Sequence, residues 1–186
     1  MQLSPFFFSA LTIATTTDTY SPTINSQSTG WTSYSIRVII PNAELSSTLT
    51  STSVKVTFRG PQTETMGIEQ AFIGQATSGG NAWDFDGNQV QLQVGSSNSW
   101  DVGIDTNVQT DACEIALSPS TDVVIGVDIT SNTSKDTIAQ VSDTNWTYFY
   151  KESNPDEAGT TAPSSFIGPT NNTRWGVHAI EWTGEG

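Results

Sequence analysis

A chain with one cysteine and one histidine has little with which to do covalent chemistry. Cys113 cannot close an internal disulfide, so stability has to come from packing or from contacts between copies, and a reducing cytoplasm is the expected place of assembly. The same scarcity excludes a four-ligand zinc site. Basic residues are few as well: six Lys and Arg stand against nineteen Asp and Glu, a formal charge of −13. Such a field opposes a nucleic-acid backbone or an anionic membrane, and neither is an expected partner. Long hydrophobic runs are missing too. The most apolar stretch, Pro5-Phe6-Phe7-Phe8-Ser9-Ala10-Leu11, is too short to span a bilayer, and no Lys or Arg precedes it. It is expected to pack on the domain or on a neighbouring subunit, with no membrane insertion. No sustained 3.6-residue periodicity argues for a helix.

What the chain does have is Ser and Thr, more than a quarter of its residues, with six Trp, eight Phe and four Tyr. The aromatics supply the buriable area that a disordered chain lacks. Thr and the aromatics also suit the pleated surface of a strand. Eight short runs of alternating apolar and polar residues follow one another between Ser33 and Trp182. In residues 33–40, Tyr34, Ile36, Val38 and Ile40 share one face and Ser35 and Arg37 the other, until Pro41-Asn42 ends the run. Val54, Val56 and Phe58 alternate with Lys55, Thr57 and Arg59. Residues 66–74, 89–94, 100–104, 122–130, 145–151 and 175–182 complete the series, separated by breakers such as Gly60-Pro61, Gly79-Gly80-Asn81 and Asp86-Gly87-Asn88.

This pattern predicts an all-β fold, a two-sheet antiparallel β-sandwich of jelly-roll-like topology over residues 33–186, preceded by an extended N-terminal arm over residues 1–32. The arm is expected to serve assembly and to add an outer strand. Ile36, Val38, Val54, Val56, Phe58, Leu92, Val94, Ile125 and Val127 are the predicted core. Sheet-on-sheet packing asks each run for only one apolar face. Ligand contacts are expected from loops 75–89, 105–120 and 131–144, gathered at one end; the polar residues singled out are Asp84, Asp86, Asp136 and Asp143 within them, and Asn98 and Asp101 between the first two.

The chemistry-bearing residues point away from catalysis. His178 sits in Val177-His178-Ala179 on a predicted strand and reads as structural or surface. Neither a G-x-S-x-G elbow nor a Gly-Asp-Ser block occurs. Cys113, flanked by Asp111 and Glu114 that should raise its pKa, reads as a buried small hydrophobe. Asp84-Phe85-Asp86-Gly87-Asn88 offers hard oxygen ligands for calcium, but it lacks the glutamate and flanking helices of an EF-hand. Asp-Gly-Asn is also what a hairpin turn requires, and the plain turn is the preferred reading. No cofactor and no metal are therefore expected. Paired carboxylates of a glycoside hydrolase cannot be told from coincidence among so many acids. Carbohydrate binding without catalysis is more credible, through exposed aromatics and polar loop residues. Trp83, beside Asp84 and Asp86, is the expected sugar-stacking platform; Trp100, Trp146, Tyr148 and Trp175 are further candidates, each with a core alternative. The sequons at Asn132, Asn145 and Asn171 arise readily in so Ser-, Thr- and Asn-rich a chain and carry no weight.

Several pieces carry a resemblance: Ile36-Arg37-Val38, Val54-Lys55-Val56-Thr57-Phe58, Ile68-Glu69-Gln70-Ala71-Phe72-Ile73-Gly74, Val90-Gln91-Leu92-Gln93-Val94-Gly95 and Asp122-Val123-Val124-Ile125-Gly126-Val127-Asp128-Ile129. Over residues 33–150 they resemble the β-sandwich modules of tail-fibre, baseplate and head-fibre proteins of tailed bacteriophages. They are more weakly similar to the accessory sandwich that precedes the catalytic domain in some SGNH hydrolases. In both groups an R-x-x-I strand leads to a V-x-V-x-F strand, a strand ending in Ile-Gly, a V-x-L-x-x-G strand and an apolar strand. The resemblance implies a non-catalytic virion module, assembled in the host cytoplasm. Its expected partners are copies of itself, a trimer among the expected forms, other virion proteins and a host-surface glycan. No catalytic residue is carried over, because the Gly-Asp-Ser block is absent. The alternative is a carbohydrate-binding module of a secreted polysaccharide-active enzyme.

Overall fold

The period-two runs fold as strands in the computed structural model, which describes residues 13–18, 26–44, 50–141, 145–153, 156–171 and 174–185. In chain order the strands are β1 (Ile13–Asp18), β2 (Ser26–Ser28), β3 (Ser35–Ile40), β4 (Thr50–Arg59), β5 (Met66–Gln75), β6 (Val90–Leu92), β7 (Trp100–Val102) and β8 (Asn107–Gln109). They continue as β9 (Cys113–Glu114), β10 (Val123–Ile129), β11 (Ile138–Val141), β12 (Thr147–Lys151), β13 (Ile167–Asn171), β14 (Arg174–Trp175) and β15 (Val177–Glu185). One 3-10 turn, Asn42–Glu44, is the only helical element among the described residues.

Two large antiparallel sheets make the sandwich. One has the order β1-β15-β4-β8, with β9 also on β4; the other runs β13-β12-β3-β10-β5-β6, with β7 also on β5. A small sheet, β14-β11-β2, is built from the remainder. The inner faces bring Val54, Val56 and Phe58 of β4 and Ile180 and Trp182 of β15 into one cluster with Ile36, Val38 and Ile40 of β3 and Ile125 and Val127 of β10. Phe58 meets Trp100 edge-on at 5.6 Å between ring centroids. Eight of the nine predicted core residues are buried. Val94 is only partly so, because β6 ends at Leu92 and Val94 bridges back to Ser97.

Three expectations change on contact with the structure. β3 and β10 are buried along their whole length, so both of their faces are covered and the one-apolar-face rule fails for them. Loop 105–120 contains β8 and β9, and loop 131–144 contains β11. The loops also do not share one end. β5 and β10 are antiparallel with Gln75 opposite Val123, so loop 75–89 leaves one end of the sheet while loop 131–144 leaves the other. Segment 105–120 runs between the two: Asp105 N donates to Pro61 O at one end, and Gln75 Nε2 reaches Ser118 O at the other.

Of the arm, β1 pairs with β15 over six residues in unbroken register, and β2 pairs with β11. Its described strands are thus outer strands of this chain's own sheets. Phe6, Phe7 and Phe8, on which the assembly expectation rests, lie outside the described residues, as does Asp143.

Candidate ligand-binding surface

Strand register sets up the first feature. Phe149, Arg37, Gly126 and Phe72 lie side by side across β12, β3, β10 and β5. Alternation assigns Arg37 to solvent, yet it is fully buried, because the chain returns over it 120 residues later. Its Nη1 donates to Ala158 O (2.5 Å), and its Nη2 to Glu157 O (2.6 Å) and Thr160 O (2.7 Å). The guanidinium carbon stands 4.3 Å from the centroid of the Phe85 ring and 5.8 Å from that of Phe166. Gly126 leaves the notch that makes this possible: a Cβ there would overlap Ala158 O and Arg37 Nη1.

Asp128, also buried, holds the same segment from the next row. Both its oxygens accept from Ala158 N at 3.1 Å, Oδ2 from Gln70 Nε2 at 2.7 Å, and Oδ1 from the Ser35 hydroxyl. Burial pushes its carboxyl up to about 6, against the downward pull of those hydrogen bonds and of the Arg37 charge. Burial likewise draws Arg37 down to about 10, opposed by Asp128, Glu157 and Asp84. Residues 157–166 therefore form a strap, fastened further by the Lys151–Glu157 ion pair at 2.6 Å. With loop 76–89 it roofs a second apolar cluster of Ile39, Phe85, Val124, Phe149 and Phe166.

The residues expected to bind ligand belong to this roof and to the turn beside it. Trp83 is half-buried; its Nε1 donates to Pro163 O at 3.2 Å, and its ring packs on Phe149 (4.8 Å) and Phe166 (6.0 Å). Asp84, which the sequence reading put on a surface loop, is buried. Its Oδ2 accepts from Asn81 N (2.8 Å) and Asn81 Nδ2 (3.2 Å), and its charge acts on Arg37. Asp86 is exposed and caps the turn, accepting from Asn88 N (2.9 Å) and Asn88 Nδ2 (3.3 Å). Asp84 and Asp86 thus serve different partners. Among the described residues no group of three or more His, Cys, Asp or Glu side chains is placed to hold a metal ion.

The other aromatic candidates resolve toward the core. Trp100, Trp146 and Tyr148 are buried between the sheets; the side chain of Trp175 lies outside the described residues. His178 is half-buried on β15. Cys113 is half-buried on β9 and packs against the core. Its thiol is pushed up to about 11, first by burial; of the two flanking acids expected to raise it, Glu114 adds to the shift.

At the end of the sheet opposite Trp83 lies a recess of about 340 Å³, lined by Glu69 of β5, Ser99, Trp100 and Asp101 around β7, and Thr130, Asn132 and Lys135 of the turn after β10. That turn is pinned to the floor through Gly67, whose N donates to Lys135 O (2.9 Å) and whose O accepts from Thr130 N (3.0 Å). A side chain at Gly67 would strike Thr130 Cγ2. Asn132 Oδ1 accepts from Ser134 N and from the Ser134 hydroxyl, which stiffens the turn, and Lys135 Nζ pairs with Asp101 Oδ2 at 2.5 Å. Glu69 and Lys135 escape a sequence reading because three segments far apart in the chain bring them together. Asp136 closes the same turn from behind, its backbone oxygen accepting from Trp31 N and its Oδ2 from the Thr32 hydroxyl. No protein-family model matches this chain, and no curated protein is similar enough to it to count as a relative.

Proposed function

We propose that this chain is a non-enzymatic structural protein of a bacteriophage virion, a fibre, spike or decoration protein, that assembles with copies of itself and with other virion proteins and contacts host-surface glycan. The observation that supports this reading is where the fold uses its buried charge. Arg37 belongs to the R-x-x-I strand and Gly126 and Asp128 to the apolar strand on which the resemblance to phage sandwich modules rests. These are the residues that seat the strap. Ionisable groups engaged with backbone make a rigid building block, whereas a catalytic group has to be free to meet a substrate.

The acidic surface fits the same reading. A formal charge of −13 favours solubility at high local density and disfavours nucleic acid and anionic lipid as partners. No helix among the described residues is long and apolar enough to cross a membrane.

The polar recess at Glu69, Asp101 and Asn132 favours the second reading, a carbohydrate-binding module from a secreted polysaccharide-active enzyme. Size-exclusion chromatography with light scattering on the purified chain separates the two. A stable trimer or larger assembly supports the virion protein; a monomer at all concentrations supports the binding module.

A further inference from the structure

We infer that the recess between β5, β7 and the turn after β10 is a binding site for one neutral pyranose ring, the point at which the chain holds a host glycan. This inference rests on the glycan contact proposed above and gives it a place and a ligand class. At about 340 Å³ the recess stands at the small end of the roughly 300–1,000 Å³ range of ligand pockets, room for a single ring and not for a long chain.

Its lining has the chemistry of a polyol site. Donors and acceptors converge from three directions: the carboxylates of Glu69 and Asp101, the hydroxyl of Ser99, and the amide and amine of Asn132 and Lys135. Several of these groups are uncommitted. Glu69 is exposed, and among the described residues its carboxylate has no partner and Asn132, which uses its Oδ1 on Ser134, leaves its Nδ2 donor unengaged. A carboxylate accepts from two neighbouring hydroxyls at once, and an amide and an ammonium donate to others. That is the pattern a vicinal diol presents.

The walls are also held ready. Lys135 is drawn to Asp101, the turn is pinned to Gly67 by two backbone bonds, and Asn132 braces it from within. Little order remains to be gained on binding, which lowers its entropic cost. Charge decides among sugars. Two carboxylates against one amine, on a chain of formal charge −13, repel sialic acid, uronic acid and phosphorylated sugars. A neutral hexose or N-acetylhexosamine meets no such penalty.

The test is a titration of the full, ¹⁵N-labelled chain with the methyl glycosides of glucose, galactose, mannose and N-acetylglucosamine, and with the methyl glycoside of sialic acid, read by amide shifts. At least one neutral glycoside should shift the amides of Gly67, Asp101 and Asn132 in a saturable way, and the sialoside should not. Glu69→Ala, an exposed change, should weaken that binding at least tenfold, and Asn132→Asp, which keeps the brace to Ser134 and removes the donor, should do the same. Shifts confined to residues 81–89, or loss of binding on Asp86→Ala alone, would move the ligand to the turn and overturn the recess. Adsorption to host cells distinguishes the two levels of failure. If wild type and Glu69→Ala adsorb equally, the recess is wrong and the glycan contact stands; if wild type binds neither glycoside nor host polysaccharide, both fall.

Discussion

Replacing Arg37 with Met tests the clamp most directly. Met fills much of the same apolar track between Phe85 and Phe166 but removes the donors to the carbonyl oxygens of Glu157, Ala158 and Thr160. It also leaves Asp128 buried without the attraction of the Arg37 charge. Breaking a buried, hydrogen-bonded charge arrangement by deleting one partner costs about 3–5 kcal/mol. The size of the loss should depend on pH, and the sign follows from Asp128. Its folded pKa of about 6 lies above the ordinary 3.8, so the folded state binds the proton more tightly than the unfolded chain does. Ionised Asp128 therefore costs roughly 3 kcal/mol at neutral pH, and stability falls by about that amount as pH rises from near 4 through 6. Without the attraction of Arg37 the folded pKa climbs further, and the decline extends to higher pH. Arg37→Met should thus lose least at pH 5 and most at pH 8. Urea denaturation followed by tryptophan fluorescence at both pH values gives the two differences. An equal loss at both, or a loss below about 1 kcal/mol at pH 8, would show that the strap is not held in this way.

Gly126→Ala places a methyl group against a backbone oxygen of the strap and should cost about 1–3 kcal/mol, with faster hydrogen exchange at Ala158 N; unchanged exchange there would refute the notch. Phe58→Ala removes a fully buried ring set edge-on to Trp100 and should cost about 3–5 kcal/mol in thermal or urea unfolding, so an unchanged midpoint would mean the inner face is misassigned. With its thiol pushed up to about 11, Cys113 should react with a disulfide reagent at pH 8 far more slowly than free cysteine and at the normal rate once unfolded; rapid labelling of the native chain would contradict its burial.

Alternation was enough to find β3, β4, β10 and β15, because each packs a full apolar row against the opposite sheet. It was enough for Ile36, Val38, Val54, Val56 and Phe58 as well. It failed wherever the outer face of a strand is covered by distant chain. A two-residue period assigns Arg37 outward correctly but says nothing about whether solvent is there, and the strap that excludes solvent lies 120 residues away. A signal did exist in β10, whose Val123–Ile129 sequence VVIGVDI is too apolar on both faces for a half-exposed strand. Trp83, Asp84 and Asp86 fall within four residues of sequence, yet a turn sends one side chain to the roof, one beneath it and one into solvent. The recess was out of reach for a different reason: its groups come from β5, β7 and the turn after β10, and only the register of those strands joins them.

The clamp that Arg37 and Asp128 place on the strap engages peptide groups, and the side-chain pairs Lys151–Glu157 and Gln89–Thr161 stand beside it. Arg37 and Asp128 bind the carbonyl and amide groups of Glu157, Ala158 and Thr160, and Gln89 Nε2 binds the carbonyl of Gly159, while Thr160, Ala162, Ser164 and Ser165 are exposed. Docking of this kind is indifferent to most of what the outward side chains are. Substitutions at those exposed positions can accumulate without unseating the segment, so the strap is a place where the outer surface of this protein can diversify while the sandwich beneath it stays as it is.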